Sequence, residues 1–271
     1  MPGAQAVLCH QRSDPSLVFC TPWPAKRLKD GRLIHDTMSP LWHRAYHALQ
    51  IPTGTTTADI IVDLMPVDQA RNAAVKLALT KWEKPPTFIF FIDWDVIVAP
   101  NHLQQLLYRA KNQPEYDVYA GVYCAKCNPP EPLIYDSWNG GPFWDWTIGD
   151  VLTTDQHGIC LVHSGLTLVR TSVYQRMLQQ KIVNVTVSDC FDGVVYPPWY
   201  KTVEVGREER STDDVHFCKS LILGLGGKIL VDTSVLAPHL DKDEGRWYTL
   251  PPDCGPVKRW KARQTEVAPC P

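Results

Sequence analysis

Two aspartates, Asp93 and Asp95, flank Trp94 where the most hydrophobic run of the chain, Thr87-Phe-Ile-Phe-Phe-Ile-Asp93, comes to an end. Residues i and i+2 of an extended chain point to the same side, so the two carboxylates converge there while Trp94 faces away. Hard oxygen ligands of this kind suit Mg²⁺ or Mn²⁺ bridging phosphate oxygens. The bland reading is that the aspartates cap the turn before Pro100. A second acidic pair, Asp213-Asp214, follows Ser211. Ser211-x-x-Asp214 has the spacing of a capping box, which would make Asp214 structural and leave Asp213 to project into a crevice. Arg71-Asn72 opens a helix upstream, and His239 follows the run Val231 to Val235. Cys124-Ala-Lys-Cys127 has no second ligand pair at zinc-ribbon spacing, which argues against a zinc site.

These residues need elements to hold them. Strand and helix signals alternate through the first half, the pattern of a parallel sheet covered by helices. Leu17 to Cys20 reads as a short strand stopped by Thr21-Pro22, and Ser39-Pro40 as an N-cap with proline at the first helical position of a helix to Gln50. Ala58 to Met65 reads as a strand and Pro66 to about Lys81 as a helix. Thr87 to Asp93, apolar on both faces, reads as the central strand. Asn101 caps a helix to about Lys111; Asp117 to Tyr123 and Ser164 to Arg170 are strands, and Thr171 to about Lys181 is a helix. Ser211 opens a helix that runs to Leu223, and Lys228 to Val235 is the last strand. Residues 128 to 150 hold four prolines, three glycines and three of the ten tryptophans, which predicts a long irregular loop.

Composition narrows the class. The chain has 271 residues, 44% hydrophobic and 21% charged, which is too apolar for a disordered chain. At this length roughly three quarters of the unfolded surface is buried on folding. With 27 basic against 29 acidic residues there is no excess of positive charge for a duplex nucleic acid. No apolar stretch approaches the ~20 residues of a membrane span. The nine cysteines lack regular spacing and the N-terminus lacks a basic region followed by an apolar run. Mostly free thiols, a cytoplasmic location and an unused sequon at Asn184-Val-Thr186 are the expectations. Oligomeric state is left open.

The order of landmarks, an Arg-Asn helix, a strand ending in Asp-x-Asp, an acidic pair before Phe217-Cys218, then a strand followed by His239, resembles glycosyltransferases of the GT-A fold, especially their family-2-like branch. The resemblance covers roughly residues 15 to 240. It implies an α/β fold with a GT-A (Rossmann-like), mostly parallel central sheet flanked by helices. A single domain of two abutting lobes is implied, with residues 15–125 binding the nucleotide sugar, 126–240 binding the acceptor and 241–271 forming a tail or lid. It implies Asp95 and His239 as ligands of Mn²⁺ or Mg²⁺, with Asp93 on the metal or the ribose. Thr21 and Pro22 match where the nucleotide base is held and Arg71 the basic residue near it. With Asp93, Trp94 and Asp95 they make up the implied nucleotide-sugar-binding set.

One member of the acidic pair, Asp213 or Asp214, would deprotonate the acceptor; the family usually has Glu-Asp there, one methylene longer. Trp138, Phe143, Trp144, Trp146 and Trp199 are the aromatic faces on which a sugar acceptor could stack, with core packing the competing role; Trp144 and Trp199 are the two expected at the acceptor. Gly165 matches a small residue that leaves room for substrate. Lys242 and Arg246 are either lid or plain surface. The implied activity is metal-dependent transfer from a nucleotide-diphosphate sugar, expected to be a uridine one, to a carbohydrate or other hydroxyl acceptor, with inversion. A retaining enzyme or a sugar nucleotidyltransferase is the alternative. The latter calls for a glycine-rich phosphate loop where this chain has Thr21-Pro-Trp-Pro-Ala-Lys-Arg27.

Overall fold

The computed structural model describes residues 6–8, 14–23, 25–27, 33–35, 37–63, 65–184, 190–191, 194–205 and 209–250. Most of the expected sequon and the tail beyond residue 250 lie outside the described residues. The core is an eight-stranded sheet. Its strands are β1 (Ala6–Leu8), β2 (Leu17–Pro22), β3 (Thr57–Val62), β4 (Phe88–Ile92), β5 (Val118–Val122), β6 (Val151–Thr153), β7 (Leu166–Arg170) and β8 (Ile229–Leu236). They lie in the order β1-β3-β2-β4-β7-β5-β8-β6. β2 is parallel to β3 and β4, and β5 is parallel to β8. β7 runs antiparallel between β4 and β5, so five of the eight strands share one direction. This is the α/β, Rossmann-like, mostly parallel sheet that the sequence predicts.

The alternation of β4 explains why it is central. Ile89, Phe90, Phe91 and Ile92 are all fully buried. Ile89 and Phe91 pack with Ala70, Ala73, Ala74 and Ala78 of helix α2 (Val67–Thr80), whereas Phe90 and Ile92 pack with Trp42 and with Leu103 and Leu106 on the other face. The small alanine face of α2 lets that helix lie close on the sheet. Helix α1 (Pro40–His47) begins as expected, with Ser39 Oγ accepting from the Leu41 amide at 3.2 Å, and ends three residues before Gln50. Helix α3 (His102–Asn112) and helix α4 (Thr171–Gln179) fall close to their expected places. No helix among the described residues is long and apolar enough to cross a membrane.

Two expectations are corrected. β2 does not stop before Thr21-Pro22 but includes both, paired with Ile61 and Val62 of β3. Helix α5 is Asp213–Lys219 with Thr212 at its N-cap, because Ser211 is spent as the last residue of a strand paired with Val203–Val205. The Ser211-Asp214 capping box therefore does not form, and Asp214 is left for other partners. After β8, His239–Asp241 (β9) and Arg246–Tyr248 (β10) make an antiparallel hairpin. The 128–150 stretch is irregular as expected apart from Ile134–Tyr135, which pairs with Leu161–Val162.

Candidate functional site

The C-terminal ends of β2 and β4 meet the entry to β7, since Leu166 is paired with Ile92 and the Asp93 amide donates to the Gly165 carbonyl at 3.0 Å. Parallel α/β sheets place their ligand crevices at this edge. The chain does not stay extended beyond Ile92. The Val96 amide donates to the Asp93 carbonyl at 3.1 Å, closing a turn, so Asp93 and Asp95 are sent to different partners rather than side by side.

Asp93 goes to Arg71. The guanidinium, 3% exposed, holds both Asp93 oxygens through one nitrogen at 2.9 and 3.0 Å. Its other terminal nitrogen donates to Asp213 and lies 3.5 Å from Asp214. One cation thus serves three carboxylates, its two terminal nitrogens held apart in one plane so that one faces Asp93 and the other Asp213 and Asp214. Asn72, next in sequence, exchanges hydrogen bonds with the Tyr200 backbone at 2.7 and 2.9 Å, which pins the segment after Pro197-Pro198 against α2. The acidic pair is asymmetric. Asp214 accepts from the Ser164 amide at 2.9 Å and faces His163 Nδ1 at 3.0 Å. Burial alone would raise its pKa, but Arg71 and His163 hold the carboxyl well below its ordinary value. Asp213 is pushed up to about 6, by burial first and then by the Asp214 charge, against the pull of Arg71. Burial, only partly offset by Arg71, also raises Asp93.

Asp95 goes to the other side. Backbone bonds from Ile97 to Pro238 and from Leu240 to Asp95 dock β9 on the Asp93–Asp95 turn and bring His239 in. His239 Nε2 lies 3.1 Å from Asp95 Oδ2, and its Nδ1 is 2.8 Å from the Cys124 carbonyl. A carbonyl can only accept, so Nδ1 carries a proton, and Nε2 is the ring nitrogen that faces Asp95. With Nε2 unprotonated, Asp95 and His239 could hold a cation between them. Their separation is about that of two adjacent ligands around an octahedral ion with ~2.1 Å bonds. Among the described residues no three His, Cys, Asp or Glu side chains gather for a metal. Two protein ligands are nonetheless enough for Mg²⁺ or Mn²⁺ when phosphate oxygens and water complete the shell. In this structure Lys126 Nζ lies 2.6 Å from the same Asp95 oxygen. Despite burial, His239 and Lys126 hold the Asp95 carboxyl low.

Several sequence-derived roles are corrected by these contacts. Both oxygens of Asp93 accept from Arg71, a partner the sequence reading did not give it. Arg71 is itself enclosed among carboxylates rather than presented to a nucleotide. Trp94 does not face away: Lys126 Nζ and Lys242 Nζ lie 5.5 and 5.2 Å from the centre of its ring. Trp199 is 1% exposed and packs edge-on to Tyr174, so it is core and offers no sugar-stacking face. Trp144 is buried too. Trp138 and Phe143 are only partly buried, with Lys219 Nζ 5.6 Å from the Trp138 ring centre. Thr21 and Pro22 are buried at the end of β2, beside the β4 edge where Asp93 begins.

Gly165 does leave room, but for the protein itself. A Cβ there would stand 2.6 Å from Asp93 Oδ2 and 2.6 Å from Tyr123 Oη, which accepts the Gly165 amide hydrogen. Gly165→Ala is therefore expected to push the Asp93 carboxylate off Arg71 and to cost about 1–3 kcal/mol, typical of overpacking. Chemical denaturation would show it as a lowered midpoint with an unchanged slope.

Three residues of the site carry no warning in the sequence. His163 sits between two short apolar runs, Lys126 inside the Cys-x-x-Cys, and Tyr123, whose ring meets His239 edge-on at 5.3 Å, at the end of a strand. Cys20, Cys124, Cys127, Cys160 and Cys218 form no disulfide, as expected, and all but Cys127 are buried.

Fold and site together define an α/β chain of Rossmann-like architecture with a buried acidic cluster and an Asp–His pair at the C-terminal edge of its parallel strands. No protein-family model and no curated protein matches the chain. Among solved structures it is similar to a CMP:2-keto-3-deoxy-manno-octonic acid synthetase complexed with CTP, at 13% identity over 86% of this chain and 95% of that one, with a TM-score of 0.42.

Proposed function

We propose that the protein is a metal-dependent glycosyltransferase that moves a sugar from a nucleotide-diphosphate sugar, a uridine one by preference, to a hydroxyl acceptor. The observation that carries this reading is the pairing of two separate sites at one sheet edge. At one, Asp95 Oδ2 lies 3.1 Å from His239 Nε2; at the other, Asp213, Asp214 and His163 gather about Arg71. Transfer from a diphosphate needs a cation and a proton acceptor at once.

In this reading Asp95 and His239 hold Mn²⁺ or Mg²⁺, which when bound neutralises charge growing on the departing diphosphate. Thr21 and Pro22 line the nucleotide end, with residues 15–125 as the donor lobe and 126–240 as the acceptor lobe. The acidic cluster lies at the junction of the two lobes, on the α5 side, and takes the acceptor proton. A base on the acceptor, opposite the diphosphate, gives inversion. Lys126 and Lys242, gathered at Trp94, add positive charge near the diphosphate.

Product identity tests the reading against its nearest rival. With UDP-glucose, GDP-mannose or TDP-glucose and Mn²⁺, the expected product is the nucleoside diphosphate. A sugar nucleotidyltransferase would instead consume a nucleoside triphosphate and release pyrophosphate. Pyrophosphate from CTP or UTP in the presence of a free sugar, with no diphosphate from any sugar nucleotide, would replace the proposal with that rival.

A further inference from the structure

Resting on the glycosyl-transfer reading, we propose that the acceptor's proton is taken by Nε2 of His163, with Asp214 as the residue that orients the ring. His163 lies in the short link between Leu161–Val162 and β7, at the same edge as Asp93. Its Nδ1 faces Asp214 Oδ2 at 3.0 Å, while the other Asp214 oxygen is fixed by the Ser164 amide at 2.9 Å and lies 3.5 Å from Arg71. An ionised carboxylate can only accept. The ring nitrogen facing it therefore carries the hydrogen, and the neutral ring presents Nε2 as a lone pair. No group among the described residues hydrogen-bonds that nitrogen.

Exposure separates His163 from the aspartates. Its side chain is 22% exposed, against 7% for Asp213 and for Asp214. It is the outermost member of the cluster, so an acceptor hydroxyl reaches the imidazole before either carboxylate. Asp213, moreover, is occupied by Arg71. The arrangement has the division of labour of a histidine base held by a buried acid, with the acid setting tautomer and orientation and remaining ionised.

The charged and titratable groups that face the ring are Asp214 and Asp213 from α5, Arg71 from α2 and, at 6.1 Å between ring centres, Tyr135. Burial and Arg71 work against the imidazolium, but the two aspartates outweigh them and raise the His163 pKa. Only the neutral ring can take a proton, so turnover falls as pH drops through that raised value. In the step itself the hydroxyl O–H bond breaks and its proton bonds to Nε2. The hydroxyl oxygen bonds to the anomeric carbon, and the bond from that carbon to the diphosphate oxygen breaks, its electron pair leaving with the nucleoside diphosphate. The imidazolium then returns its proton to solvent.

His163→Gln in the full chain is the informative variant, because its amide N–H can still donate to Asp214 but cannot take up the proton. With UDP-glucose, GDP-mannose and TDP-glucose as probes and water as acceptor, nucleoside diphosphate release should fall 10²- to 10⁴-fold. Donor affinity should stay within about twofold, and the acid limb of the pH profile should disappear. Added imidazole should restore part of the rate to His163→Ala. Long-range ¹H–¹⁵N spectra of histidine-labelled protein should show His163 protonated on Nδ1, and Asp214→Asn should change that tautomer. Wild-type release rate and pH profile in His163→Gln, or a proton on Nε2 of the neutral ring, would overturn this proposal alone. A wild-type protein that releases nothing from any of the three donors would overturn the transfer reading and this step with it.

Discussion

Replacing Arg71 by Met should destabilise the protein by about 4 kcal/mol or more at neutral pH, the largest stability loss expected of any single change in the site. Removing one partner of a buried ion pair typically costs 3–5 kcal/mol, because the remaining charge is left without compensation. Here one side chain, 3% exposed, serves Asp93, Asp213 and Asp214 together. The loss should depend on pH in a definite direction. Asp93 and Asp213 have raised pKa values even beside Arg71, and without it they rise further. Protonation then removes the uncompensated charge, so the difference between Arg71→Met and wild type should shrink as pH falls from 7 toward 5. Arg71→Lys should recover only part of the loss, since one ammonium cannot span both terminal positions of the fork. Urea titrations at two pH values check this, and a difference that grows on acidification would contradict it.

Asp95→Ala should abolish metal-linked binding of the donor. Losing an outer-shell partner of a metal typically costs 10- to 100-fold in affinity, so loss of one of two protein ligands should cost at least about 100-fold for Mn²⁺ in the presence of UDP. Lys126→Met should act in the opposite sense. Its ammonium lies 2.6 Å from the Asp95 oxygen that faces His239, so an ion entering between them must displace it. Removing that competitor should leave Mn²⁺ bound as tightly as in wild type or more tightly. Calorimetric titration of Mn²⁺ into protein with UDP compares the three proteins. Equal Mn²⁺ affinity in Asp95→Ala and wild type would remove Asp95 from the metal site.

Six of the sheet's eight strands were legible because they are written in local patterns; the three-residue strands β1 and β6 were not. Phe88 to Ile92, apolar on both faces, could only be a covered strand, and the alanines of α2 mark a helix packed close upon it. The Asp93–Asp95 motif was legible as a pair of carboxylates at a strand end, but not its division of partners. That depends on the turn closed by Val96 and on two side chains far along the chain, Arg71 and His239. Arg71 meets Asp213 across 142 positions, a closure that no local spacing announces. The capping box at Ser211 was misleading for a comparable reason: pairing with Val203–Val205 takes Ser211 into a strand and releases Asp214 to His163. Tryptophan excess near prolines suggested a sugar platform, but Trp144 and Trp199 fill core space, and composition does not distinguish a buried ring from an open one. Gly165 was singled out as leaving room for substrate; the atoms that stand in that room are those of Asp93 and Tyr123.

The central claim is that one nucleotide-diphosphate sugar binds through a cation held by Asp95 and His239. Thermal melting of the wild-type protein with UDP-, GDP- and TDP-sugars, each with Mn²⁺, Mg²⁺ or a chelator, tests it most directly. The account predicts stabilisation by a single nucleotide class, with UDP-sugars favoured, that chelation abolishes and that is absent from Asp95→Ala. Melting curves unmoved by every nucleotide sugar in the presence of Mn²⁺, or a shift that persists undiminished in chelator, would contradict it.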